Sequence, residues 1–415
     1  MLLASLSLFA LFARRAAAAV SPFVEPPAEL FSPLIAKKVL ATAEAFPSPA
    51  MYPQYTDRVE GKWNWVILDK WTTGFFPATL YAMHARTKLC HHSSVGDGDQ
   101  WLALDARGHT GDLAHPQQHE HRARRRLSQK PGQPNCNFGG ERVLRRPGGR
   151  FSEIVGCTRS WDTDDPTDFQ VIIDNMMNLE ICLMGRQLFF ASEALTGNHT
   201  LRDMAISHAD KTMANHIRPD GSSFHVVDYN STTGVVIKQR TYQGYADNST
   251  WSRGQEWGIY GFATMYKHTQ KYDYIQTARR MSDYFLDNLP DDGVVPWDFN
   301  APLDPPRPAD SSAAMIAANG LLLLANRRPP SSTPLALRAT PTLPSRLAWA
   351  PTWQSLLSNG TVNTPKQNTL TGMVYGMQSS VVLPAELLTN CLAGRRRLLF
   401  ITAGNTLVEK GLASC

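Results

Sequence analysis

The sequence predicts an all-α protein built from antiparallel helical hairpins. After Phe151, segments with apolar residues at helical spacing alternate with short turns, and signals for strands are few. Three segments, which start at Asp99, His199 and Tyr272, share a polar and aromatic entry into an alanine-containing amphipathic helix. Such a recurrence is typical of one hairpin unit that is repeated around a ring.

The individual elements follow from the period of the apolar residues. The first helix of this part is predicted at 169–190, where apolar residues surround a few polar ones. Further helices are predicted at 201–217, 251–272, 274–288 and 311–326. The one island without helical period, 221–245, predicts a β-hairpin around a Ser-Thr-Thr-Gly turn.

The composition is that of a large globular protein. In 415 residues, 43% are hydrophobic and 10 Trp, 12 Tyr and 17 Phe are present, which is ample for a core and excludes global disorder. The six cysteines are scattered, with no CxxC pair and no zinc-like spacing. Neither a disulfide scaffold nor a metal site is therefore predicted.

The basic charge of the chain is confined to one stretch. The formal net charge is +5, but residues 118–150 alone carry +7, which leaves −2 for the rest. No basic face extends over the protein, and the stretch has no interleaved aromatic residues. A nucleic-acid-binding module is therefore the least favoured class of function.

The N-terminal residues 1–20 predict a signal peptide. An apolar run from Leu2 to Phe12 precedes small residues at 16–19 that could supply a cleavage site, although positive charge before the run is absent. The run is too short to span a bilayer, so no membrane anchor is expected. Secretion is predicted, with a cytoplasmic location as the alternative, and four glycosylation sequons fit secretion. They begin at Asn198, Asn230, Asn248 and Asn359.

Residues 242–266, YQGYADNSTWSRGQEWGIYGFATMY, resemble the unsaturated glucuronyl hydrolases of glycoside hydrolase family 88. Supporting blocks occur in the order of that family: WTTGFFPATLY, GCTRSWD, IIDNMMNLE, DGSSFHVVDY, ADSSAAMIAANGLLLLA and TGMVYG. The resemblance implies an (α/α)6 barrel of six hairpins, formed as a single catalytic domain by residues 21–415. It also implies an oligosaccharide with a terminal unsaturated uronate as the binding partner, and no cofactor or metal.

The reaction that the resemblance implies starts from a C4=C5 double bond left by a polysaccharide lyase. The enzyme protonates this enol ether and delivers water to C5, and the resulting hemiketal collapses and releases the rest of the sugar. One carboxyl group that acts first as an acid and then as a base is sufficient. The two-carboxylate geometry of ordinary glycosidases therefore does not apply.

By the resemblance, Asp174 is the catalytic general acid and base. In the sequence it stands among Ile172, Ile173, Met176 and Met177, and an apolar setting favours the protonated form that an acid catalyst needs. The alternative is an aspartate that only caps or solvates a helix.

The resemblance also indicates substrate-binding residues. His225 and Gln243 match polar positions, and Gln243 is expected to bind sugar hydroxyls or to orient water. Arg253 suits the uronate carboxylate because a guanidinium binds carboxylates as a fork; the alternative is an intrahelical pair with Glu256. Four tryptophans are predicted to stack on sugar rings, although core packing alone could explain each of them. They are Trp71, Trp161, Trp251 and Trp257.

The chain departs from the family in one interval. A second aspartate, in a block of the form H-D-x-G-F, is expected before residue 156, but residues 117–150 contain no such block and no helical period. Codons for the peptide QHEHRARRRL, read one base forward, can encode NTSTGHDVGF. We therefore interpret 117–150 as an out-of-frame translation, with a genuine basic insertion as the alternative. The context of Asp112, the nearest aspartate, does not match the missing block.

A second segment, 377–397, separates parts that are close together in the family, and a retained intron would explain it. Two alternatives for function stay open at this point. One is an unsaturated rhamnogalacturonyl hydrolase of the same fold. The other is a catalytically inactive sugar-binding relative, because the second aspartate block is missing.

Overall fold

The computed structural model describes the helices and the sheet that form the candidate site. The described residues are 28–47, 51–56, 62–66, 75–90, 151–160, 165, 167–179, 181–182, 186–187, 199–304, 306–325, 392–410 and 413. Among the helices in these ranges, none has the length and apolar content that crossing a membrane requires.

The described chain is mainly helical. In order, the α-helices are α1 (Pro33–Glu44), α2 (Phe75–Leu89), α3 (Asn175–Asn178), α4 (Thr200–His216), α5 (Ser252–Thr269), α6 (Tyr272–Asp287), α7 (Ser311–Ala325) and α8 (Leu392–Glu409). The strands are β1 (Tyr52–Thr56), β2 (Trp63–Val66), β3 (Phe151–Ser152), β4 (Cys157–Thr158), β5 (Asp168–Ile172), β6 (Ile181–Cys182), β7 (Arg186–Gln187), β8 (Val226–Asn230) and β9 (Val236–Arg240). These strands pair in antiparallel fashion, and the largest sheet has the order β5-β8-β9.

The second half of the chain follows its apolar period. Helices α4, α5, α6 and α7 occupy the predicted ranges 201–217, 251–272, 274–288 and 311–326, so these predictions are confirmed. The hairpin predicted at 221–245 is confirmed as β8 and β9. Its turn is closed by the Thr232 and Thr233 N–H groups, which both donate to Asn230 Oδ1 at 2.9 Å, and Gly234 follows with a φ of 71°.

The helix predicted for 169–190 is wrong. Its first part is strand β5, which pairs with β8, and among the described residues before β7 only the four of α3 are helical. Burial alternates along β5, because Phe169 and Val171 pack with Val227 and Tyr229 while the intervening side chains are partly exposed. A β-branched run that finds a partner strand therefore overrides the apparent helical spacing.

Helix α7 is the most deeply buried helix of the described part, and nearly all of its side chains are inside the protein. A helix that is apolar all round is typical of a buried position. Its main neighbour is α5, and the two approach closely at Gly320, where an added Cβ would lie 3.1 Å from the Cα atom of Tyr260. The candidate site lies at the N-terminal ends of these two helices.

The two ends of the described chain pack on each other. Helix α8 lies on α2, and the buried Arg86 guanidinium joins them by donating to the Ile401 carbonyl at 2.7 Å and to Asn405 Oδ1 at 2.8 Å. It also donates to the Leu30 carbonyl at 2.7 Å. Burial lowers the pKa of Arg86 to about 10, which leaves it charged at neutral pH. A contact between the last helix and a helix near the N-terminus is what a closed ring of hairpins requires.

Several predictions about organisation concern other parts of the chain. The signal peptide at 1–20, the segment 117–150 and residues 377–391 lie outside the described residues. Residues 392–397, the end of the second aberrant segment, are the first turns of α8. Secretion and the single domain over 21–415 stay predictions.

Candidate active site

The pairing of β5 with β8 brings Asp174 and His225 together. Ile172, the last residue of β5, lies opposite Val226, the first residue of β8. The next N–H group, of Ile173, donates to the His225 carbonyl at 3.0 Å. This register places Asp174 Oδ2 at 3.7 Å from His225 Nε2. The two residues thus meet through the sheet, although they are far apart in the sequence.

Asp174 is the accessible member of this pair. Its side chain is 16% exposed, whereas that of His225 is 1% exposed. The turn that carries Asp174 is held by its neighbour Asn175, whose amide donates to the Thr158 carbonyl at 3.1 Å and to Ser160 Oγ at 2.8 Å. A ligand can therefore reach Asp174, and the carboxylate has a fixed support.

His225 is neutral, with its proton on Nε2. The Nδ1 atom accepts hydrogen bonds from the N–H groups of Tyr242 at 3.2 Å and Gln243 at 3.3 Å, so it cannot carry the proton. Burial, and next the charge of Arg253, lower the pKa of His225 well below its usual value. A neutral imidazole therefore directs its Nε2–H towards the Asp174 carboxylate, and it does not serve as the acid.

Trp251 lies between His225 and Arg253. The indole and imidazole rings are 4.1 Å apart between centroids and tilted by 32°, and the Arg253 guanidinium carbon lies 4.6 Å from the indole centroid. The Trp251 side chain is only 2% exposed. The structure therefore gives Trp251 a packing role behind the site, and stacking on a sugar ring stays a prediction.

Arg253 is bound to other protein groups. Its Nη1 forms a buried ion pair with Asp310 and donates to Ser312 Oγ at 3.1 Å, while Nη2 donates to Gln243 Oε1 at 3.0 Å. The alternative pair with Glu256 is wrong, because neither oxygen of that carboxyl has a hydrogen-bond partner in the described part of the chain. Direct binding of the uronate carboxylate by Arg253 stays a prediction.

The side-chain amide of Gln243 is held by Arg253. Its Oε1 is occupied by Arg253, which fixes the orientation of the amide and leaves the NH2 group as a donor for a ligand. Its backbone is also held, since the carbonyl accepts from Trp297 Nε1 at 2.8 Å. The prediction that Gln243 binds a sugar hydroxyl or orients water fits this geometry and stays a prediction.

Of the other three tryptophans, Trp257 lies in the described part of the chain. Trp257 is 2% exposed and belongs to the main hydrophobic core, so its described contacts are those of packing. Trp71 and Trp161 lie outside the described residues.

Two buried aspartates that hold the site together were missed by the sequence analysis. Asp310 precedes α7 and accepts from the N–H groups of Ser312 at 3.0 Å and Ala313 at 3.2 Å while it binds Arg253. The Asp-Ser-Ser sequence before an apolar run is a capping signal that could have identified it.

The second missed residue, Asp298, anchors the loop between β9 and α5. It accepts from the Tyr245 N–H at 2.9 Å, from Ser249 Oγ at 2.7 Å and from the Asn300 N–H at 2.9 Å. Burial raises the pKa of Asp298 above its usual value, although these hydrogen bonds oppose the shift. No local sequence signal indicated this residue, because its partners come from a distant loop.

The chemistry that this arrangement can perform is proton transfer by one carboxyl. Asp174 is accessible, it lies beside a neutral N–H donor, and it is backed by the contacts His225–Trp251–Arg253. Within the described ranges, no group of three or more His, Cys, Asp or Glu side chains could hold a metal ion.

The chain is similar to two named hydrolases. The unsaturated glucuronyl hydrolase of Formosa agariphila is 33% identical over 302 residues, which cover 68% of this chain and 68% of that protein. The unsaturated chondroitin disaccharide hydrolase of Streptococcus pyogenes is 37% identical over 173 residues, which cover 41% of this chain and 42% of that protein. A comparison with protein-family models gave no match.

The fold agrees with a solved structure over nearly the whole chain. The crystal structure of an unsaturated glucuronyl hydrolase specific for heparin superposes with a TM-score of 0.70 at 25% identity, covering 93% of this chain and 97% of that chain. The predicted all-α helical barrel is thereby confirmed, and so is the prediction of a glycoside hydrolase. On the evidence of this fold and of a relative aligned over two thirds of both chains, the protein belongs to the family of unsaturated glucuronyl hydrolases.

Proposed function

We propose that this chain removes the terminal 4,5-unsaturated uronic acid from acidic oligosaccharides that a polysaccharide lyase has produced. The observation that carries the proposal is the contact of 3.7 Å between the accessible carboxylate of Asp174 and the N–H of a neutral His225. This pair supplies the single carboxyl that hydration of an enol ether needs, together with a donor that stabilises its ionised form.

In the proposed mechanism, Asp174 first protonates C4 of the unsaturated ring, which leaves positive charge at C5. The resulting carboxylate is stabilised by the Nε2–H of His225 and accepts a proton from the water that attacks C5. The hemiketal at C5 then opens to a ketone at C5 and a hemiacetal at C1, and this hemiacetal breaks down to an aldehyde and releases the remaining sugar as an alcohol. The Gln243 amide, oriented by Arg253, is the donor that we assign to a sugar hydroxyl or to the attacking water.

We propose fragments of glycosaminoglycans as the substrates. Of the relatives, one is named for unsaturated chondroitin disaccharides and another is described as specific for heparin. Both of these sources yield an unsaturated uronate linked to an amino sugar. Pectin-derived unsaturated rhamnogalacturonan fragments are the competing substrates in the test.

The test follows the ultraviolet absorbance of the C4=C5 double bond. We expect the wild-type chain to remove this absorbance faster with unsaturated chondroitin disaccharides than with pectin-derived ones. Asp174→Asn should lower the rate by about 10²- to 10⁴-fold, while the dissociation constant of the disaccharide changes little, because the shape of the site is retained.

Three results would contradict parts of this proposal. Unchanged turnover in Asp174→Asn would remove Asp174 from its catalytic role. Faster turnover of the pectin-derived fragments would reassign the substrate. Binding without any loss of absorbance in the wild-type chain would indicate a sugar-binding relative without activity.

A further inference from the structure

Helix α5 carries one carboxyl, Glu256, which lies one turn after Arg253. The side chain is fully buried, and neither of its oxygens has a hydrogen-bond partner among the described residues. An ionised carboxylate without a partner is very costly inside a protein, so such a group is retained as the neutral acid. The described network of the active site leaves this residue unused.

Two charged groups face Glu256. Arg253 comes from its own helix, and Asp310 comes from the N-terminus of the packed helix α7. Burial is the main cause that raises the pKa of Glu256 well above its usual value; Asp310 raises it further and Arg253 lowers it. These influences favour the protonated form of Glu256, while Arg253 forms its ion pair with Asp310.

The state of Glu256 bears on the catalytic pair through Arg253. The guanidinium donates to Gln243 Oε1, and the Gln243 N–H donates to His225 Nδ1. A second carboxylate at position 256 would repel Asp310 and would compete for the same guanidinium. Either effect would displace Arg253 from Gln243 and loosen the support of His225.

We propose that Glu256 is a positioning residue that, as a neutral acid, leaves Arg253 with Asp310 and Gln243, and that its ionisation at alkaline pH weakens substrate binding. The second part, the effect of ionisation on substrate binding, rests on the proposed function. The first part concerns stability alone and is tested separately.

The stability test compares wild type, Glu256→Gln and Glu153→Gln, which changes an exposed carboxyl. A buried acid with a raised pKa keeps a proton that the unfolded chain loses above about pH 4.3. Wild-type stability is therefore reduced as the pH rises from that value through the folded pKa. The midpoint of thermal unfolding of Glu256→Gln should rise relative to wild type as the pH rises. Glu153→Gln should show no such trend. If the difference in unfolding midpoint between Glu256→Gln and wild type does not depend on pH, the proposal is overturned.

The binding test uses the Asp174→Asn chain, in which the catalytic carboxyl cannot titrate. The dissociation constant for an unsaturated chondroitin disaccharide should rise about tenfold per pH unit above the ionisation of Glu256, as expected for one proton. Adding Glu256→Gln, or Glu256→Met as a second residue that cannot ionise, should abolish this rise. The same alkaline rise in all three chains would overturn the proposal. Absence of binding in every chain at every pH would instead contradict the proposed function, while the stability test would still report on Glu256.

Discussion

At the scale of single residues, three histidines around the β5–β8 pairing are kept neutral by burial. His208 Nδ1 accepts from the Thr158 N–H at 3.1 Å, and His216 Nε2 lies 3.1 Å from the Val171 carbonyl, to which it donates. Burial lowers the pKa of His208 to about 3 and that of His216 to about 4. Together with His225, they make the β5–β8 region of the sheet dependent on neutral imidazoles.

These histidines predict sensitivity to acid. In the unfolded chain, histidine is protonated below about pH 6.5. In the folded chain, His216 is protonated only below about pH 4. The free energy of unfolding should therefore fall as the pH falls through this window. His216→Gln should make the fall shallower in urea titrations at several pH values, whereas His199→Gln, a change at an exposed residue, should not. Equal slopes for the two variants would show that His216 is not the cause.

Much of the site could be predicted at this scale, but only through the resemblance. Asp174 and His225 were assigned from the blocks in which they stand, and the structure brings them to 3.7 Å. The partner of Arg253 could not be predicted, because Asp310 is far from it in the sequence whereas Glu256 is three residues away. Local spacing favoured the near carboxylate, and tertiary packing selected the distant one.

At the scale of elements, the glycines of α5 determine how closely its neighbours approach. An added Cβ at Gly261 would lie 2.5 Å from Met176 Cβ and 3.3 Å from the backbone of that residue. At Gly258 the contact would be with Met281 Cε at 2.3 Å, which is the end of a flexible side chain. Because Met176 belongs to α3, which follows Asp174 directly, Gly261 supports the turn that carries Asp174.

Alanine substitutions at these two glycines should therefore differ. Alanine favours a helix by about 1 kcal/mol over glycine, and forced overpacking costs about 1–3 kcal/mol. Gly258→Ala should cost less than Gly261→Ala, since its added Cβ would meet side chains and no backbone. Gly261→Ala should lower the free energy of unfolding and also reduce kcat, because α3 must shift. Thermal unfolding and turnover of both variants check this prediction. Equal effects on kcat in the two variants would show that the packing of α3 does not control the position of Asp174.

The elements themselves could be predicted where packing is local. Helices α4 to α7 follow their apolar period, and the β8–β9 hairpin follows its turn residues. The helix predicted at 169–190 was wrong for a physical reason. A run of Val171, Ile172 and Ile173 next to other apolar residues fits both the helical period and the strand period. The deciding factor is the partner strand β8, which the local sequence does not contain.

At the scale of the whole molecule, the last helix of the described chain packs on its second helix, α2. Arg86 joins α2 to α8 across most of the sequence, and Asn405 donates back to the Ala82 carbonyl at 2.8 Å. This contact could not be predicted from the sequence, since nothing local relates the two ends. It indicates that segments on both sides of residues 117–150 belong to one folded unit.

The interpretation of 117–150 as an out-of-frame translation is tested at this scale. The blocks before and after the segment both match the family, whereas the segment carries the excess of positive charge and lacks the aspartate block. We expect the transcript to read H-D-V-G-F where the present chain reads the arginine-rich peptide. A chain with the restored frame should be produced in higher soluble yield and should turn over unsaturated disaccharides faster than the present chain; a synonymous recoding of the present chain serves as the control. If the transcript encodes the arginine-rich peptide, and the restored chain is no more active, the insertion is genuine, and the catalytic site must be completed without that aspartate.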